Sequence, residues 1–416
     1  MKLIRNRERN YRMQRNHSRM QSAVETLEPR LLMAGEPTVR YDGDDFYGTL
    51  AATHTFKMKF LDTGGSIDAT TVVNQNNTVR VINNKLSYTQ LATYVSSEVS
   101  NSGQGLEVVY SVTGPGGAWD AADAGAYNVV MQSGTVKDNS GSFVPTGLSG
   151  VFYYSPTAAF DERYYLSTQP DVSTAVTNSL LGSGYAHFTL YGKFENRTPS
   201  RYYDSSYYRA WNEDVVNAVN AQAFATAWDH YVQYGLTEGR SGNEEFNGTR
   251  YKSDNPSVVT GINNSTYGSA LEHFLNLGRR QELRPNLYFN EAQYLALYPG
   301  VAAAISAGFV ATGWDDYLEV GEVNHRSPGN DFSEEYYRAT YPDVANAVTA
   351  GFFKSTLQHY QVLGQYENRN PTSTFNEVYY VSQNADVQAA VSSGAFKSGY
   401  EHFLLWGRAE GRLGHA

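Results

Sequence analysis

The chain of 416 residues contains no cysteine. That excludes disulfides, cysteine-ligated zinc and thiol nucleophiles together, and it suits an exported protein that avoids oxidative pairing. No run of 18 or more apolar residues occurs, so no transmembrane helix is expected. Basic residues are concentrated at one end. Residues 1–35 hold Lys2, Arg5, Arg7, Arg9, Arg12, Arg15, Arg19 and Arg30 against Glu8, Glu25 and Glu28, while the whole chain carries a formal charge of −10. The body is therefore acidic, which argues against nucleic acid as a partner, because phosphate binding is driven by Lys and Arg. Nucleophile elbows, Walker loops, dinucleotide glycine patterns and zinc-protease helices are also missing from the sequence. No enzyme activity and no cofactor is expected.

What the chain has in abundance is aromatic residues, with 33 tyrosines, and internal repetition. One pattern runs six times without insertion or deletion, starting at Phe160, Tyr203, Phe246, Phe289, Phe332 and Phe375, each step 43 residues. Fixed-period repetition predicts a quasi-one-dimensional array of one supersecondary unit. Such arrays present surfaces more often than they carry chemistry. We number these stretches segments one to six.

Each segment reads as three short helices. Asp161, Asp204, Asn247, Asn290, Ser333 and Asn376 follow the starting aromatics and accept hydrogen bonds well at a helix start. Four positions on stand Tyr165, Tyr208, Tyr251, Tyr294, Tyr337 and Tyr380, which pair with the starting aromatic as a hydrophobic staple. Proline then opens a second helix in four segments, and a third is expected to start at Ser183, Thr226, Ser269, Thr312, Ser355 and Ser398. Ser269–Glu272, Ser355–Gln358 and Ser398–Glu401 have the spacing of strict capping boxes. An unbroken glycine series, Gly192, Gly235, Gly278, Gly321, Gly364 and Gly407, reads as the stop of this third helix.

Residues 36–154 read differently, as short alternating runs at 38–41, 55–61, 79–82, 106–113, 127–132 and 147–154 separated by turn clusters. Strands at that spacing predict an antiparallel β-sandwich. The fold class expected is thus multidomain α and β: a basic leader over 1–35, a sandwich over 36–154, and an α-solenoid of six repeats over 155–416.

Several residues are candidates for function. His187, His230, His273, His359 and His402 share one register, with Asp316 in segment four. A metal ladder is opposed by geometry, since equivalent positions on stacked helices lie roughly 8–10 Å apart and no second ligand recurs. A packed histidine bonded to neighbouring backbone is expected instead. Arg197, Arg240, Arg326, Arg369 and Arg412 also share a register, and we expect them to hold Asp171, Asp214, Asp343 and Asp386 or a helix terminus. Tyr164, Tyr207, Tyr336 and Tyr379 form a ladder of rings that could stack on sugars or partner surfaces if exposed. Asp42, Asp44 and Asp45 could offer oxygen ligands to calcium, although a solvated turn is the simpler account.

Three resemblances bear on these residues. Leu27-Glu28-Pro29-Arg30-Leu31-Leu32 resembles the LEPR-x-LL segment near the N-terminus of large exported proteins of planctomycetes and other Gram-negative bacteria, which implies an export or sorting address. Val109, Tyr110 and Val112, with Gly116, Gly117, Trp119, Asp120, Asp123, Gly125 and Tyr127, are similar to the closing strands of bacterial immunoglobulin-like modules. In those modules a tyrosine hydroxyl ties a loop to the next strand. The segments themselves resemble a recurrent exoprotein unit, F-D-x-x-Y-Y-L-x-x-N-P-D-V-x-x-A-V followed by H-Y-x-x-x-G-x-x-E-G-R. It runs from Phe375-Asn376 to Glu410-Gly411-Arg412 in segment six. These resemblances imply an extracellular or cell-surface binding or scaffolding protein whose partner is a polysaccharide or another envelope protein. Alternatives are an accessory module of a glycan-active enzyme, or a divergent one, and a purely architectural spacer. The last segment lacks an atypical cap, which points to self-association through it.

Overall fold

A computed structural model describes residues 36–416; the LEPR-x-LL segment lies outside the described residues. An N-terminal β-sheet region is followed by a run of about eighteen helices. The strands are β1 (Thr38–Asp42), β2 (Phe46–Tyr47), β3 (Thr53–Leu61), β4 (Val79–Asn83), β5 (Tyr88–Leu91), β6 (Thr93–Ser100), β7 (Gly105–Thr113), β8 (Gly125–Met131) and β9 (Gly147–Ser155). They form a four-stranded sheet in the order β1-β3-β7-β6 and a five-stranded sheet in the order β2-β9-β8-β4-β5. All pairs are antiparallel except β2 with β9. Alternation drives this arrangement. Phe56, Met58 and Phe60 of β3, Val108, Tyr110 and Val112 of β7, Val79 and Val81 of β4, and Tyr127 and Val129 of β8 turn inward to one apolar core with Trp119 and Phe152. The Tyr127 hydroxyl donates to the Asp123 carbonyl at 2.8 Å.

Each 43-residue segment holds three helices at equivalent positions. In segment one they are Glu162–Thr168, Pro170–Thr177 and Gly184–His187; in segment six, Glu377–Gln383, Ala385–Ser392 and Gly399–His402. Side chains at the six first-helix starts accept from the backbone N–H three residues on, at 2.7–3.2 Å. The staple rings approach to centroid distances of 5.2–5.7 Å. The segments also close on themselves. In five of them the N–H of the first cap donates to a carbonyl 38 residues later, as Asp161 does to Pro199 at 3.1 Å.

The third helix departs from expectation. After one α-turn it widens into a five-residue π-turn, Phe188–Gly192 in segment one and Phe403–Gly407 in segment six, and the same occurs in every segment. The in-register glycine ends this turn without a left-handed φ. The left-handed residue comes four positions later, at Asn196, Gly239, Glu282, His325, Asn368 and Gly411. Glycine is retained for clearance: a methyl there would overlap the staple tyrosine's hydroxyl in all six segments.

The helix starts correct a second expectation. Gln358 and Glu401 accept from the N–H of Lys354 and Lys397, one residue before the cap, at 2.6 Å, and Glu272 likewise reaches Gly268. The reciprocal box closes instead in segment two, where Asp229 accepts from the Thr226 N–H at 2.9 Å. Glutamate and glutamine, one methylene longer than aspartate, reach past the cap to the residue before it.

Two compact units emerge, one of residues 36–278 and the other of 279–416. In the first, β-sheet region and helices share hydrogen bonds. Asn276 donates to the Tyr47 carbonyl (2.8 Å) and accepts from the Tyr47 N–H (3.0 Å), pairing with β2 as a strand would. Within each unit neighbouring segments also touch: Phe188 packs on Trp228 at 4.8 Å in the first, and the Ser355 hydroxyl donates to Glu322 at 3.0 Å in the second.

Candidate functional site

The registers that could carry chemistry are committed inside their own segments. The five histidines are not bonded to backbone through Nδ1. It lies 2.8–3.2 Å from the staple tyrosine's hydroxyl in each case: Tyr165–His187, Tyr208–His230, Tyr251–His273, Tyr337–His359 and Tyr380–His402. In segment four the Tyr294 hydroxyl donates to Asp316 at 2.7 Å. The 22-residue separation hides this pairing from local pattern reading. Burial lowers all five imidazoles below their usual range, and in four of them the nearby guanidinium adds to the effect.

Arg197, Arg240, Arg369 and Arg412 form forked ion pairs with Asp171, Asp214, Asp343 and Asp386 at 2.8–3.0 Å. Each also reaches the glutamate two residues before it, Glu195, Glu238, Glu367 or Glu410, at 2.5–2.6 Å. Segment four has Gly300 where the aspartate would stand, and there Arg326 turns to Asp316 at 2.7 Å. The exchange of histidine for aspartate at 316 thus supplies the charge that position 300 lacks. Segment three has Ser257 and Leu283 and makes no such pair.

A third register, invisible in the sequence, carries a buried carboxylate. Glu162, Glu291, Glu334 and Glu377 open their first helices and accept from the free backbone N–H groups at the start of the third. Glu162 bonds Gly184 at 2.7 Å and Tyr185 at 2.8 Å; Glu334 also takes the Thr356 hydroxyl. Burial raises Glu162 to about 7 against the pull of those N–H donors. Glycine or threonine faces each glutamate, and a methyl on Gly399 would sit 2.9 Å from a Glu377 oxygen. Segments two and three have Ser205 and Gly248 in place of glutamate, and there the facing residue is Ala227 or Ala270.

The remaining candidates lie apart. Tyr164, Tyr207, Tyr336 and Tyr379 are half-buried and do not form an exposed ladder. The Arg201 guanidinium covers the Tyr164 ring at 5.3 Å, and Tyr207 lies 6.1 Å from Trp211. Asp45 is held by Arg163 at 2.7 and 2.8 Å and by the Tyr153 N–H at 2.9 Å, and Asp42 pairs with Lys59 at 2.9 Å. Among the described residues no cluster of three His, Asp or Glu side chains is placed to hold a metal ion, and no helix is long and apolar enough to cross a membrane.

One outward-facing register was missed. The residue before each clearance glycine is Tyr191, Tyr234, Leu277, Val320, Leu363 or Trp406, large and apolar in all six segments yet 40–58% exposed. Its variety, from valine to tryptophan, conceals it in the sequence; its unbroken apolarity beside an unbroken glycine would have revealed it. No protein-family model matches this chain, and no curated protein matches it in sequence.

Proposed function

We propose that this is a non-enzymatic binding or scaffolding protein of the cell surface or extracellular space. In this reading an immunoglobulin-like β-sandwich precedes six helical repeats of the α-solenoid type. The two sheets around one core, with Trp119 and the Tyr127–Asp123 bond, support the first part, and the helices recurring every 43 residues support the second. The LEPR-x-LL segment supports export. The partner is a polysaccharide or another envelope protein.

The observation that carries the reading is the exposed register from Tyr191 to Trp406. A large apolar side chain stands half in water at this one position of every segment, and that recurrence, unlike singly scattered exposure, supports a role in contact. The charged registers support the same conclusion, because their arginines and buried glutamates are already bonded within their segments. The test is a pull-down with the full chain against envelope polysaccharides and surface proteins of the host, followed by calorimetry on each hit. Saturable binding that falls at least about tenfold in Tyr191→Ala/Trp406→Ala, the loss of about 1.4 kcal/mol, supports the reading. Binding unchanged by that double substitution removes this register from it, and absence of any binder favours the spacer.

A further inference from the structure

We propose that the five in-register histidines make the helical segments acid-responsive: a proton taken up at the imidazole reverses the tyrosine–histidine bond, leaves the tyrosine's own proton without its acceptor and loosens that segment.

Segment four supplies the direction of the bond. Its carboxylate can only accept, so the Tyr294 hydroxyl donates to Asp316. In the other five segments the same hydroxyl meets Nδ1 at 2.8–3.2 Å, and it donates when the ring is neutral with its proton on Nε2. Protonation turns Nδ1 into a donor. The hydroxyl must then accept, and its own proton loses its acceptor in a buried site. The tyrosine oxygen occupies the space that a β-carbon on the clearance glycine would fill, so it has little room on that side.

The charges around the ring act in both directions. His187 faces Arg197, Glu195 and Asp171 as well as Tyr165 and Tyr191. His230, His359 and His402 face the equivalent guanidinium and carboxylates, and His230 also packs on Tyr234. The carboxylates favour the imidazolium, but they are the more exposed groups and already hold the arginine. Burial and the guanidinium oppose it and prevail, keeping these rings below their usual range. His273 faces no guanidinium, only Tyr251 and Tyr267, and burial alone acts on it. Segment four is the natural exception, since Asp316 is an anion that pairs with Arg326 directly. Because the folded rings take protons less readily than free histidine, their contribution to stability is complete above about pH 6.5 and falls as the pH drops below it.

The decisive comparison is thermal unfolding of the full chain between about pH 7.5 and about pH 5.5, beside a variant with asparagine at all five positions. Asparagine keeps a polar atom near Nδ1 but does not titrate. The melting temperature of the natural protein should fall by at least about 3 °C more than that of the variant over this interval. His54 and the buried glutamates are present in both proteins and drop out of the difference. Equal falls overturn the proposal. Should the variant not fold, His359→Asp, which copies segment four, is read against the natural protein in the same way. Ring-proton NMR of the natural protein is an independent test, and titration midpoints for these histidines at or above about 6.5 also overturn the proposal.

Discussion

Replacing Gly407 by alanine separates two explanations of the glycine series. If glycine were present to adopt a left-handed φ, the penalty would be conformational and blind to the neighbouring side chains. The structure gives a steric cause: the new methyl would overlap the Tyr380 hydroxyl and stand 3.1 Å from the Tyr380 Cζ and 3.3 Å from the Phe403 Cδ2. Tyr380 would have to withdraw, breaking its 2.9 Å contact with His402. Overpacking of a tight site costs about 1–3 kcal/mol, and a buried polar group left unpaired costs about 1–3 kcal/mol. Against this, alanine is favoured over glycine in a helix by about 0.5–1 kcal/mol. The net expectation is a loss of about 3 kcal/mol, read by urea denaturation of the full chain with far-UV circular dichroism. Tyr380→Phe removes the obstructing oxygen, so Gly407→Ala introduced into Tyr380→Phe should cost far less than in the natural protein. An equal cost in both backgrounds refutes the clearance argument, and so does a Gly407→Ala protein as stable as its parent.

Two further outcomes follow from the charged and titrating groups. Arg326→Ala should destabilise by about 2–3 kcal/mol because it leaves the largely buried Asp316 without its counter-charge, with the Tyr294 hydroxyl still donating to it. Arg369→Ala, whose partner Asp343 is well exposed, should cost about 1 kcal/mol or less; urea midpoints in the reverse order would contradict this. In the β-sheet region, His54 lies between Phe46 and Phe152 at ring distances of 5.0 and 4.4 Å, and burial lowers it to about 4. The unfolded chain therefore binds the proton first, and stability is lost as pH falls below about 6.5, reaching about 2 kcal/mol at pH 5. His54→Leu should remove that part of the pH dependence, and an unchanged profile by chemical denaturation at the two pH values would count against it.

The parts of this architecture that were legible in the sequence are those fixed by near neighbours. A cap and its N–H lie three residues apart, a staple five, and both could be placed from pattern alone. Six strands were legible through alternation. The edge strand β6 (Thr93–Ser100) was not, because only scattered positions of it are even half-buried, and β2 is two residues long. The arginine–aspartate pairs, 26 residues apart, were legible because opposite charges recur in register; the contacts across 22 residues carry no such charge signal. The tyrosine–histidine bond, the glutamate under the third helix and the π-turn that brings them together all depend on packing. Even the glycine series, seen at once, was given the wrong cause, because a clearance glycine and a left-handed glycine look alike until the neighbouring hydroxyl is placed.

The buried glutamate divides the six segments into two compatibility groups, and that sets a rule for splicing them. Segments one, four, five and six pair a glutamate with glycine or threonine; segments two and three pair serine or glycine with alanine. Exchanging whole segments keeps each pair intact. A crossover between the first and third helices does not: joining the front half of segment six to the back half of segment two would set the alanine methyl where a methyl on Gly399 would stand, 2.9 Å from a Glu377 oxygen, without the hydroxyl by which Thr356 bonds Glu334 in segment five. The reverse graft would leave the N–H groups at the start of the third helix without their acceptor. For this pair, recombination is therefore less disruptive at segment boundaries than inside them, and two residues 22 positions apart must travel together.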